Sequence, residues 1–182
     1  MTLAPSDEAL AIHSARELRH PKFEPSVHLS LLTSGGLVLP DRSDPLLSGS
    51  VGLRADVRDR ASPFLFGLQI EGQYGVVSSN IYDRRVSTAL NARIGLNWDD
   101  HTTYVTGGSI LTPAISSTLQ PLGWNVGLGT EYRFGTDWSA GVEYRYSEIE
   151  LKFRAGPGST ERSENRSSSA VTGNVTYRFF SF

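Results

Sequence analysis

From about Pro25 onward, apolar and polar residues alternate with a period of two, the pattern of strands whose two faces meet different surroundings. The clearest stretch puts Leu122, Trp124, Val126, Leu128, Thr130, Tyr132 and Phe134 on one face and Gly123, Asn125, Gly127, Gly129, Glu131 and Arg133 on the other. Residues 86–98 divide in the same way: Val86, Leu90, Ile94, Leu96 and Trp98 oppose Ser87, Asn91, Arg93 and Asn97. Near the C-terminus Val171, Val175, Tyr177 and Phe179 oppose Thr172, Asn174, Thr176 and Arg178. Shorter versions occur around Val27–Leu29–Leu31, Val51–Leu53–Val57, Phe64–Phe66–Leu68–Ile70 and Trp138–Val142–Tyr144. Residues 104–111 are Gly-rich and carry the pattern weakly, but their place in the series predicts a further strand. After Tyr146 the apolar positions slip to Ile149, Leu151 and Phe153, which predicts either a bulge or an exit from the apolar zone. The sum is eight strands.

The connections alternate in length. Residues 58–62, 99–100 and 135–137 are short links, whereas 34–46, 75–84, 112–121 and 154–168 are longer and rich in Ser, Pro, Gly and charge. An antiparallel up-and-down barrel with one trimmed rim and one elaborated rim produces this asymmetry, and membrane barrels have it. Alternation alone fits a soluble lipocalin-like barrel equally well, with its apolar face inside. Residue identities favour the inverse. The polar face carries Gly, Ser, Asn and Thr with charges of both signs: Arg54, Asp56, Glu71, Arg93, Glu131, Arg133, Glu143, Arg145 and Arg178. Small residues with balanced charge suit a narrow lumen in which guanidinium and carboxylate groups pair. A solvated outer surface would hold more Lys and less Gly. The apolar face ends in aromatics beside the short links, namely Phe64, Trp98, Tyr104, Tyr132, Phe134, Trp138, Tyr177 and Phe179, with Trp124 near the opposite rim. Rings of this kind form girdles at headgroup depth. The expected fold is therefore all-β, an eight-stranded antiparallel transmembrane barrel over residues 25–182.

Composition agrees. The 182 residues include 18 Gly, 9 Pro and no Cys, and 17 basic against 19 acidic side chains give a net charge of −2. Near-neutral charge removes the electrostatic case for nucleic acid, and the missing Cys excludes disulfides, thiolate metal sites and cysteine nucleophiles. The hydrophobic fraction of 38% is low for a soluble core, while 10% aromatics is high for disorder. None of the histidines (His13, His20, His28 and His101) sits in a metal-binding spacing, so no metal, cofactor or catalytic residue is assigned. The glycine clusters precede no Lys-Ser/Thr and no helix, so they are not phosphate loops.

The segments Thr103-Tyr104-Val105-Thr106-Gly107-Gly108, Gly123 through Phe134, Asp137 through Tyr146 and Val175-Thr176-Tyr177-Arg178-Phe179 together resemble the small eight-stranded outer-membrane β-barrels of Gram-negative bacteria. That group comprises the OmpA-like, porin-family, opacity and immunogenic surface proteins. The resemblance spans most of residues 26–180, and the hairpin across residues 135–137 is its most specific part. It implies an outer-membrane location and contact with lipid and lipopolysaccharide. It also implies insertion by the barrel-assembly machinery through the C-terminal strand. The role it implies is structural or surface-interacting, as an adhesin or antigen whose ligand meets loops 34–46, 75–84, 112–121 and 154–168. The alternative is a narrow porin-like channel for ions or small solutes; an enzyme is not expected. Two departures stand out. Phe180-Ser181-Phe182 runs past the usual terminal aromatic and puts Phe182 out of phase. Residues 1–24 lack the apolar core of an export signal and read as a periplasmic arm, with Ser6 able to cap a short helix.

Overall fold

The computed structural model describes residues 25–41, 44–59, 62–76, 85–112, 120–153 and 162–182; the expected arm 1–24 lies outside them, as do the middles of the long connections. Eight strands follow one another: β1 (Pro25–Pro40), β2 (Leu46–Asp59), β3 (Phe64–Val76), β4 (Arg85–Trp98), β5 (His101–Thr112), β6 (Gln120–Phe134), β7 (Trp138–Phe153) and β8 (Arg162–Ser181). Each pairs antiparallel with its sequence neighbour, and β8 returns to β1, so the sheet closes with no free edge. Closure matters here because an unpaired edge in lipid would strand backbone N–H and C=O groups at several kcal/mol each.

The surface is inverted relative to a soluble protein. Leu68 is 62% exposed and Leu128 57%, while Arg93 is 1% exposed and Glu71 2%. Through the middle of the barrel the outward positions are mainly apolar, and the buried charges point inward. Such a surface is stable where the surrounding solvent is hydrocarbon. The tight ends follow local chemistry. Between β4 and β5 the two-residue turn places Asp99 at a φ of 51°, a left-handed conformation that Asp tolerates, and Gly135 opens the β6–β7 turn at 79°.

The strands outrun the expected boundaries. They are 12 to 20 residues long, against the 9–11 or so that cross a bilayer. Residues 34–40, expected to be loop, continue β1 and pair with both β2 and β8, and residues 162–168 belong to β8. Above the bilayer both faces of a strand meet water, so pairing continues after the apolar alternation has ended.

Two further expectations change. β7 pairs without interruption from Trp138 to Phe153, so no bulge accompanies the slip at Ile149. Counting by two from Arg145 through Ser147 puts Ile149 on the inner face, where it lines the upper lumen. The extra residues sit elsewhere: β6 carries one between Pro121 and Gly123, and β8 carries Phe179 between Arg178 and Phe180. The bulge at Phe179 corrects the terminal phase. Beyond it Phe180 pairs with Leu29, and Phe182 exchanges backbone hydrogen bonds with Val27 at 2.8 and 3.1 Å. Phe180 and Phe182 consequently point outward together, their ring centroids 5.3 Å apart.

Candidate functional site

The inward charges gather into two clusters and a mouth. In the first cluster Glu131 accepts both Arg54 Nη1 (2.6 Å) and Arg54 Nη2 (3.2 Å), and also Arg93 Nη2 (3.0 Å). Asp56 lies 3.3 Å from Arg54 Nε and 3.7 Å from Arg93 Nη1. Two guanidinium groups thus balance two carboxylates, all essentially out of water. Bidentate geometry of this kind holds a buried pair that would otherwise not repay its desolvation.

The second cluster sits towards the long-loop end. Arg145 donates to Glu71 through Nη2 (2.9 Å) and Nη1 (3.2 Å), and to Glu143 through Nε (2.8 Å). Ser50 (3.1 Å) and Gln69 also donate to Glu71. This cluster has one carboxylate in excess. Arg133 and Arg178 belong to neither: both line the short-turn mouth, where Arg133 pairs with Asp100 at 2.9 Å and is partly exposed.

Tyr104 joins the two clusters. The sequence pattern expects it in the outer aromatic girdle, but the structure turns it inward and leaves it 3% exposed. The Arg93 guanidinium lies 3.7 Å above its ring centroid, and its hydroxyl donates to Glu143 Oε2 at 3.0 Å. Space for the ring comes from the strands on either side. Gly95 and Gly129 stand opposite Tyr104 in β4 and β6, and a Cβ on Gly129 would lie 2.5 Å from Tyr104 Cζ. Two facing glycines and the phase carried across Asp99-Asp100 from outward Trp98 were the available signals for this inward placement.

The other aromatics face out: Phe64, Trp98, Tyr132, Phe134, Trp138, Tyr177 and Phe179 towards the short turns, and Trp124 towards the long-loop end. Trp138 and Tyr177 pack with centroids 4.8 Å apart, and Trp124 meets Tyr146 at 5.6 Å.

Between the two clusters remains a cavity of about 10 Å3, lined among others by Arg54, Glu71, Tyr104 and Arg145. That is room for a single water molecule at most. The side-chain amides of Asn91 and Asn125, which flank Gly108 across β4 and β6, are buried without a protein partner. Among the described residues, no three His, Cys, Asp or Glu side chains assemble into a potential metal site. Ser26 Oγ and His28 Nε2 meet at 3.1 Å, a pairing the sequence did not suggest. The Ser26 hydroxyl also lies 3.2 Å from the Arg58 carbonyl oxygen, which accepts from it.

Closed backbone, apolar exterior and charged, plugged interior define a class: a small eight-stranded β-barrel of the outer-membrane type. Solved structures with this fold include Neisserial surface protein A, at a TM-score of 0.54 and 14% identity over 86% of this chain and 100% of that one. Ail, the attachment invasion locus protein of Yersinia pestis, aligns at 0.52 and 11% identity over 86% of this chain and 99% of its own. The outer membrane enzyme PagL aligns at 0.46 with 15% identity, over 80% of this chain and 97% of that one. No family model and no curated protein matches the chain. One fold of this kind hosts many functions, so function is argued from the site.

Proposed function

We propose that the protein is a closed outer-membrane scaffold with a structural or surface-interacting role, displaying its long-loop rim to the exterior. The observation that carries this reading is the lumen, where two salt-bridged clusters joined by Tyr104 leave a gap of about 10 Å3. A rigid barrel with no open route through it has its rims as working surfaces. The four connections from β1 to β2, β3 to β4, β5 to β6 and β7 to β8 form the external rim in this reading. The names of two proteins with the same fold, a surface protein and an attachment protein, are in keeping with it. Lipid and lipopolysaccharide surround the apolar belt. The outward Phe180 and Phe182 edge of β8 is the surface offered to the assembly machinery. Catalysis is not part of the reading.

The test is a planar-bilayer recording on protein refolded in detergent and shown to be folded by heat-modifiable gel migration. A flat baseline is the expected result. Regular unitary steps that change when Glu131 is neutralised would overturn the closed scaffold in favour of a narrow channel.

A further inference from the structure

The two halves of the lumen are filled differently. An eight-stranded interior is just wide enough for its own side chains, and the half nearer the short turns is filled by Arg, Glu and Tyr. Above Arg145 the inward charges give way to serines and aliphatic side chains, and a cavity of about 170 Å3 opens at the long-loop end. A cavity of about 150 Å3 holds one six-membered ring.

Its lining sets hydroxyls and apolar side chains above a charged floor. Glu71 and Arg145 form the floor. Above them hydroxyls project from different strands: Ser48 from β2, Ser87 from β4, and Ser147 and Ser168, which face each other across β7 and β8. Interspersed with them around the wall is an apolar collar of Val38 opposite Leu46, with Ile110 and Ile149. The slip of apolar residues to the inner face at Ile149 is part of that collar.

The floor's charges are already committed. Glu71 accepts from Arg145, Ser50 and Gln69, and the Arg145 nitrogens are shared between Glu71 and Glu143. An anionic ligand would meet a floor with one carboxylate in excess, and a cationic one would have to give up its hydration for carboxylates whose hydrogen bonds are already taken by Arg145, Ser50, Gln69 and Tyr104. Hydroxyl groups, which both donate and accept, complement other hydroxyls. The apolar collar suits the C–H face of a ring.

We propose that this cavity is a binding site for one neutral polyhydroxylated ring of monosaccharide size, entering from the long-loop end. The proposal rests on the closed-scaffold reading only in that the salt-bridged plug forms the site's floor. Bilayer recording tests the plug separately, so failure of one does not imply failure of the other.

Saturation-transfer difference NMR tests it, on protein refolded in an amine-oxide detergent that contains no sugar. The probes are glucose and inositol, with glucuronate and glucosamine as charged counterparts. Saturable binding of a neutral ring is expected, with a Kd on the order of 1–10 mM for so small a ligand. Ser147→Leu and Ser87→Leu each fill the cavity from a different wall, and both are expected to weaken binding by at least about tenfold. Heat-modifiable migration shows which variants are folded, and either folded variant suffices for the comparison. Maltotriose binding as well as glucose assigns the ring to the end of a glycan, whereas glucose alone assigns it to a free solute. No transfer to any neutral probe in folded wild-type protein overturns the proposal. So does transfer unchanged in the folded variants, or tighter binding of either charged sugar.

Discussion

Glu131→Gln isolates the cluster that closes the lower lumen. The substitution keeps side-chain shape and one carbonyl acceptor but removes the charge that both Arg54 and Arg93 face. Asp56 alone then faces two buried guanidinium groups, and its contacts with them are the longer ones, 3.3 and 3.7 Å. Removing one partner from a buried ion pair costs about 3–5 kcal/mol, because the remaining charge stays desolvated. A retained acceptor and a small cavity towards the short-turn mouth, about 30 Å3 and lined by Arg54, Asp56 and Glu131, put the cost at the lower end. The expected loss is about 3 kcal/mol. Urea titration in detergent micelles, followed by tryptophan fluorescence, measures it. With an m-value of about 2 kcal/mol/M, the midpoint falls by about 1.5 M. Arg133→Gln is the control, since the Arg133–Asp100 pair is 35% and 53% exposed and such pairs contribute about 0–1 kcal/mol. A Glu131→Gln midpoint no further from wild type than that of Arg133→Gln would refute the reasoning. It would mean that the lumen is wet enough to screen its own charges.

Tyr104→Phe keeps the ring beneath Arg93 and removes the hydroxyl that donates to Glu143. A stability loss of about 1.5–3 kcal/mol is expected by the same urea titration. Gly129→Ala drives a Cβ to 2.5 Å from Tyr104 Cζ and is expected to cost about 1–3 kcal/mol, whereas Gly72→Ala, whose nearest atom would be 3.8 Å away, leaves the midpoint unchanged. Deleting Phe179 removes the bulge and keeps Phe180 and Phe182 outward, so the yield of heat-modifiable barrel is expected to hold. Deleting Ser181 instead turns Phe182 inward opposite His28, and the yield is expected to fall.

Strands could be read from the sequence wherever lipid and lumen impose opposite chemistry on the two faces, as along Trp124–Val126–Leu128 against Asn125–Gly127–Gly129. Where both faces are wet the contrast disappears, which is why residues 34–40 and 162–168 read as loop although they pair. β5 failed differently. Thr, Gly and Ser occupy both its faces around Tyr104, so Tyr104 looked like a girdle member by kind. Phase carried over a two-residue turn was the better guide. Parity along each strand could also mark Arg54 and Glu131 as inward residues. It could not pair them, because they are 77 residues apart and meet across the lumen at a height set by the stagger of the whole barrel. The bulge at Phe179 has no local signal of its own beyond the mismatch it repairs.

The position of Tyr104 also bears on whether so small a barrel could conduct. A continuous path would have to separate Arg93 from Glu131 or lift Tyr104 off Glu143, and these contacts share residues. Moving Tyr104 away uncovers the face on which Arg93 rests and releases an acceptor of Glu143 beside Arg145. Rearranging Arg54 exposes Glu131 and Asp56 together. An opening that left even one of these charges buried and unpaired would carry about 3 kcal/mol or more. At about 1.4 kcal/mol per tenfold, that keeps an open form below about 1% of molecules. Conductance at a higher open fraction would require the clusters to exchange partners without ever exposing one, while the ring that joins them leaves the space that Gly129 opens for it.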